Sequence, residues 1–343
     1  MSLFIRKLMV VIGIPLLLIL MPAFLIDPYN VFHWNSVRDN GIEPNRNYIK
    51  MKYLLSNPAK YNALLFGSSR VGAIHVENFS ELKVYNMTCS LGLPVMHLHN
   101  LQSLLEKGLR FKKIYLGVDD LGLLQDEKNN RTFYCCPYEY LKDNPVFFVK
   151  LYTNPIQVWS SLDVYHAGRD IGGKQMYKYG WTTDYHRKSM FDWQQELSKT
   201  RTKRSINSDY LRNNTEVTLQ SLEKIKEVCE KNQIELVVFT NPLFKTAFLD
   251  SINHGYLEFL KKMVKITPFY NFSGLNDITL NPNNFLDHAH YKAEVGDMII
   301  SVLDADENAF FNNVKPGDLY RQGFGWYVTT ENIDEFIRKI HVN

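Results

Sequence analysis

The sequence predicts an α/β fold with a parallel sheet covered on both faces. Three observations lead there. Short apolar runs at 61–66, 113–118 and 234–240 have the length and composition of buried strands. Segments with apolar residues at helical spacing, at 93–109, 216–231 and 294–303, alternate with them. The first and last of these runs stop at turn residues, Gly67-Ser68-Ser69 and Asn241-Pro242. Strands alternating with helices imply parallel strands with crossover helices on both sides.

In chain order, YNALLF (61–66) reads as the first strand and KVYN (83–86) as the second. The helix at 93–109 carries Leu98, Leu101, Leu104 and Leu105 on one stripe. KIYLGV (113–118) is the third strand. The helix at 216–231 buries Leu219, Leu222, Ile225 and Val228, and IELVVFT (234–240) follows as a strand. A helix at 256–264, a strand at 268–272 and a helix at 294–303 complete the pattern. The stretch 121–207 breaks this rhythm. It is rich in Tyr and Trp, holds Gly172-Gly173 and a basic cluster at 199–204, and reads as an insertion over the carboxyl ends of the strands or as a subdomain that only packs. The expected division is an apolar leader at 1–27, a connector at 28–60, a main domain at 61–310 with its insertion, and a C-terminal extension at 311–343.

Composition narrows the function classes. The chain has 343 residues, 45% apolar and 22% charged, which excludes disorder along its whole length. Its net charge of +3 is too mild to argue for a nucleic-acid binder. Mean hydropathy of -0.25 is too polar for a polytopic membrane protein but permits one spanning helix. The run at 8–26 has no charged residue and is long enough to cross a hydrocarbon core of about 30 Å. Arg6 and Lys7 precede it and Asp27 follows, so the positive-inside rule leaves the N-terminus in the cytoplasm and exports the rest. A cleaved signal peptide fits less well, because the run ends in PAFLIDPYN without a small-x-small site; a buried core helix is the remaining alternative. The four cysteines, Cys89, Cys135, Cys136 and Cys229, form no CxxC pair, so a structural zinc site is not expected, and disulfides stay open.

Two short motifs carry the chemistry. Phe66-Gly67-Ser68-Ser69-Arg70 closes the first strand, and a serine at a strand-to-turn junction can present its hydroxyl above a parallel sheet. Small residues after a strand are more often only a turn. Near the other end stands Phe285-Leu286-Asp287-His288-Ala289-His290. A carboxylate three residues before an imidazole can hold it in the tautomer that accepts a serine proton. His288 is a rival base. His75, His97 and His99 have some of the spacing of metal ligands but no carboxylate nearby. Trp181, Tyr185, Phe191 and Trp193 could stack on sugar rings, or pack as core or lid.

Taken together and in this order, the motifs resemble the SGNH (GDSL-like) hydrolase superfamily. Within it, the chain looks most like the membrane-anchored proteins of bacterial surface-polysaccharide and teichoic acid modification, the DltD-like and alginate O-acetylation-like branch. The resemblance implies a three-layer flavodoxin-like fold behind one N-terminal transmembrane helix, anchored in the bacterial inner membrane with the main domain on the periplasmic or extracellular side. It makes Ser69 the nucleophile, His290 the base and Asp287 its orienting acid. Ser68 stands where the family usually has Asp. Gly92 and Asn86 resemble the second block, which supplies oxyanion-hole donors. The third block is normally G-x-N-D, and here reads Gly117-Val118-Asp119-Asp120. An ionised Asp119 cannot donate a hydrogen bond as the family's Asn does; it would face a cation or a sugar hydroxyl, or cap the loop. The implied activity is acyl transfer or ester hydrolysis on a cell-surface glycan, with an integral-membrane acyltransferase as partner and no cofactor. The alternative is a non-catalytic glycan-binding or scaffolding protein that keeps the fold.

Overall fold

The computed structural model describes residues 45–120, 207–304 and 323–340 throughout, with shorter stretches at 10–15, 145–153 and 178–181 and single residues elsewhere. Six strands form one sheet: β1 (Ala63–Phe66), β2 (Val84–Asn86), β3 (Lys113–Gly117), β4 (Glu235–Thr240), β5 (Phe269–Asn271) and β6 (Trp326–Val328). Their order is β2-β1-β3-β4-β5-β6. The first five pair in parallel, in the order of a doubly wound, flavodoxin-like sheet, and β6 adds an antiparallel edge against β5.

The helices are α1 (Asn45–Ser56), α2 (Pro94–Glu106), α3 (Pro145–Thr153), α4 (Ser208–Lys231), α5 (Lys245–Asn253), α6 (Tyr256–Ile266), α7 (Asp277–Leu280), α8 (Ala293–Leu303) and α9 (Ile333–Lys339). Alternation along the strands sorts the core into two layers. Leu64, Phe66, Ile114, Leu116, Val238 and Phe269 face a cluster filled by Leu98, Leu101, Leu222, Phe259 and Phe336 from α2, α4, α6 and α9. Ala63, Leu65, Tyr115 and Phe239 face the other side, against Val71, Phe244, Phe272, Val295 and Ile299. Burial on both faces explains why these strands read as unbroken apolar runs.

Two segments depart from the expected division. The connector expected at 28–60 supplies α1, whose Met51, Tyr53 and Leu54 lie in the first core cluster. The C-terminal extension supplies β6 and α9, so it completes the sheet. Nine of the 19 residues of the expected spanning segment lie outside the described residues. Those described within it are helical, and Val10, Val11, Ile12, Ile14, Leu17, Leu18, Met21 and Leu25 are exposed. Among the described residues no helix is long and apolar enough to cross a membrane.

Candidate active site

β1 ends at Phe66, and the chain turns at once into a single 3-10 helix, Ser69–Ala73. Ser68 caps that turn, its Oγ accepting from the Arg70 N–H. Gly67 is needed for space: a Cβ there would lie 2.6 Å from Val71 Cγ1. Ser68 and Arg70 are buried on either side of Ser69, which alone of the three stays partly open. The turn is strapped from beside by the continuation of β2. Thr88 Oγ1 donates to the Ser68 carbonyl (2.7 Å), and the Cys89 N–H donates to the Gly67 carbonyl (3.4 Å).

The second half of the site is a tight loop ahead of α8. It closes on itself through a bridge between Phe285 and Tyr291 and through N–H donation from Leu286 to the His290 carbonyl (2.8 Å). It is tied to the β4–α5 connection by the Phe244 N–H, which donates to the His288 carbonyl. Asp287 is held by the backbone: its Oδ1 accepts from the N–H groups of Ala289 (2.7 Å) and His290 (2.8 Å).

These two segments meet. Ser69 Oγ lies 2.9 Å from His290 Nε2, and His290 Nδ1 lies 2.8 Å from Asp287 Oδ2. With Nδ1–H donating to the carboxylate, Nε2 carries a lone pair toward the hydroxyl, the arrangement that accepts a serine proton. Burial by itself would raise the Asp287 carboxyl. The hydrogen bond from His290, its charge and the two backbone donors outweigh that and hold the group at about 2, so it is ionised at neutral pH. The imidazole and carboxylate are each about a third exposed, at 29% and 32%, so a reactant can reach them.

α8 approaches the turn closely enough to fix the spacing. A Cβ on Gly296 would lie 2.6 Å from the Ala73 carbonyl oxygen, at the end of the 3-10 helix. The close backbone approach leaves no room for a side chain between α8 and the end of the 3-10 turn that begins at Ser69.

The other sequence-predicted positions lie near this centre but are engaged elsewhere. Asn86 is fully buried and its amide hydrogens go to the carbonyls of Val71 (2.7 Å) and Ile74 (3.2 Å). It locks the 3-10 turn and is not an oxyanion donor. The Gly92 N–H donates to the Cys89 carbonyl at 3.2 Å, so it too is spent on a local turn. Asp119 pairs with a cation of the chain itself: Arg70 Nη1 stands 2.9 Å from Asp119 Oδ2, and the same guanidinium reaches Asp120. Burial would lower the Arg70 pKa, but the two carboxylates raise it above its ordinary value, so the guanidinium is charged.

Among the histidines, His288 is buried, with Nδ1 2.6 Å from Thr246 Oγ1 and its ring near Phe244; it does not face Ser69. His75 packs on Trp181, whose Nε1–H donates to Glu77. That indole is buried, not displayed to a ligand. Tyr185, Phe191, Trp193 and the basic cluster at 199–204 lie outside the described residues. His97 is buried against Phe66, and desolvation, helped by the Lys50 ammonium, lowers its pKa to about 3. Sequence reasoning missed Arg70 as the cation beneath the turn, and missed Asn241 and Tyr291, which close the same network. Only the position of Arg70 directly after the serine could have signalled it. A scan against family models finds no match, and neither curated proteins nor solved structures yield a similar one.

Proposed function

We propose that the chain is an exported serine acyltransferase or esterase of SGNH type, acting on O-acyl groups of a cell-surface polysaccharide. The observation that carries this reading is the contiguous Ser69–His290–Asp287 arrangement at the carboxyl end of a parallel sheet, where such folds bind ligands. In the proposed reaction Ser69 Oγ attacks the acyl carbonyl while His290 Nε2 takes the hydroxyl proton, and Asp287 stabilises the imidazolium. The tetrahedral intermediate collapses to an acyl-serine ester, and the donor oxygen leaves with the proton from His290. A sugar hydroxyl or water then gives its proton to His290 and attacks the acyl-serine. Ser69 departs with that proton, leaving an acylated sugar or a free acid. An acyl donor from the cytoplasm would be supplied through an integral-membrane acyltransferase partner.

Export is supported by the charge-free run at 8–26, whose described residues are helical and exposed, and by a disulfide at Cys89, a bond typical of oxidising compartments. A second reading has its own support. The donors expected from Asn86 and Gly92 are committed elsewhere and Asp119, as a carboxylate, supplies none, which favours a glycan-binding scaffold that keeps the fold without turnover.

One experiment separates the two. The wild-type chain is expected to be labelled by a fluorophosphonate and to hydrolyse a small acetyl ester, and Ser69→Ala to lose both. Equal behaviour of the two proteins would leave the scaffold. Adding an oligosaccharide acceptor and weighing the product then distinguishes transfer from hydrolysis.

A further inference from the structure

Nucleophile and base come from segments 221 residues apart, yet a buried path of side chains joins their immediate neighbours. Ser68, beside Ser69, donates its hydroxyl hydrogen to Asp119 Oδ2 at 3.1 Å. The same oxygen accepts from Asn241 Nδ2 at 3.1 Å. Asn241 Oδ1 accepts from the hydroxyl of Tyr291 at 3.0 Å, and Tyr291 directly follows His290. All four side chains are buried, Asn241 and Tyr291 completely. The direction of every bond is fixed by chemistry. An ionised carboxylate only accepts, so Asn241 must turn its amide nitrogen to Asp119, and its carbonyl oxygen is left for the tyrosine. Arg70 Nη1 stands 2.9 Å from that same Asp119 oxygen, a third donor to the accepting carboxylate.

We propose that Ser68, Asp119, Asn241 and Tyr291 form a positioning bridge that sets the distance between Ser69 and His290. The bridge crosses the carboxyl ends of β1, β3 and β4, so it references both halves of the site to the sheet. Asp119 is thereby a positioning residue and not a contact to the substrate or oxyanion. The bridge rests on the reading of Ser69 as nucleophile and His290 as base. Its physical basis is that hydrogen bonds in a dry interior are directional and costly to leave unmade, whereas the bonds within the His290 loop shape that loop without tying it to the Ser69 turn. A displacement of 1 Å at a reacting pair can lower a rate by about 10²-fold.

The test reads the Ser69–His290 hydrogen bond itself, in the full chain labelled with ¹⁵N-histidine. Ser69→Ala is expected to displace the His290 Nε2 resonance in the wild-type background. In a Tyr291→Phe background that displacement is expected to fall to about half or less, and in a Ser68→Ala background likewise, with no further fall when the two are combined. Tyr291→Phe keeps the ring and removes only the hydroxyl, and a thermal melt checks that each variant is folded. An unchanged displacement in both backgrounds, or fully additive effects, overturns the bridge. In parallel, Tyr291→Phe is expected to slow fluorophosphonate labelling about tenfold while leaving its half-saturating concentration unchanged. Absence of labelling in the wild type would overturn the nucleophile reading alone, and the resonance measurement would still decide the bridge.

Discussion

The two halves of the site are held by opposite means. Under Ser69 lies a buried charged layer: Arg70, Asp119 and Asp120 are each 5% exposed or less, and Ser251 adds a hydroxyl to Asp120 at 2.6 Å. Asp287 and His290 are instead about a third exposed and are shaped by short-range bonds within their own loop. The Ser69 side is therefore part of the folding core, and the His290 side is a graft upon it. Substitutions in the charged layer of Arg70, Asp119 and Asp120 should destabilise the protein, and substitutions at Asp287 or His290 should, on the proposed function, disable it while it stays folded.

The sharpest way to break that contrast is Asp287→Asn. On the proposed function it should lower turnover by about 10⁴-fold, because the imidazole loses its preferred tautomer, while the protein stays folded at neutral pH with a modestly lowered melting temperature. The same variant tests the electrostatics. Asp287 is held at about 2 in the folded protein, below its ordinary 3.8, so its stabilising contribution is complete above about pH 4. It is lost as pH falls from there toward 2, and Asp287→Asn should lack that part of the acid dependence in a denaturant titration.

Arg70→Met should do the reverse. It leaves two buried carboxylates without their cation, which costs about 3–5 kcal/mol when one partner of a buried pair is removed. A fall in urea midpoint accompanied by lost activity is expected, and a variant that stays stable but inactive would refute the division between core and graft.

Gly296→Ala probes the seam between them. The new methyl meets the Ala73 carbonyl oxygen, so α8 must shift off the nucleophile turn, at about 1–3 kcal/mol typical of overpacking. Slower fluorophosphonate labelling with a melting temperature lowered by only a few degrees would place the seam at that contact.

The last of these effects, confined to acid pH, concerns His97, which is buried and neutral. The unfolded chain takes up a proton near pH 6.5, whereas the folded protein resists until about 3, so stability declines as pH falls between those values and levels off below. His97→Phe should flatten that slope without altering the dependence contributed by Asp287.

Much of this was legible in the sequence, for physical reasons. Strands buried on both faces have to be continuous apolar runs, so β1, β3 and β4 announce themselves. Asp287 and His290 are three residues apart and lie on one loop, so their pairing is local and readable. α1 was obscured because it buries Arg46, Asn47 and Lys50, with Lys50 Nζ donating to the Thr88 carbonyl, and a helix with cations inside does not look amphipathic. β6 is three residues long and pairs with β5 antiparallel, which gives no period to detect. Asn86 and Gly92 were of the right type and in the right region. Which partner a donor chooses is decided by neighbours brought in by folding, and spacing does not encode that.

The separation of 221 residues between Ser69 and His290 also bears on how the protein comes into being. A growing polypeptide exposes its serine before His290 has been made, so on the proposed function the alcohol lacks its base throughout elongation. On that function, reactivity would switch on only when the final third of the chain docks, and a molecule stalled before that step would leave the esters around it intact.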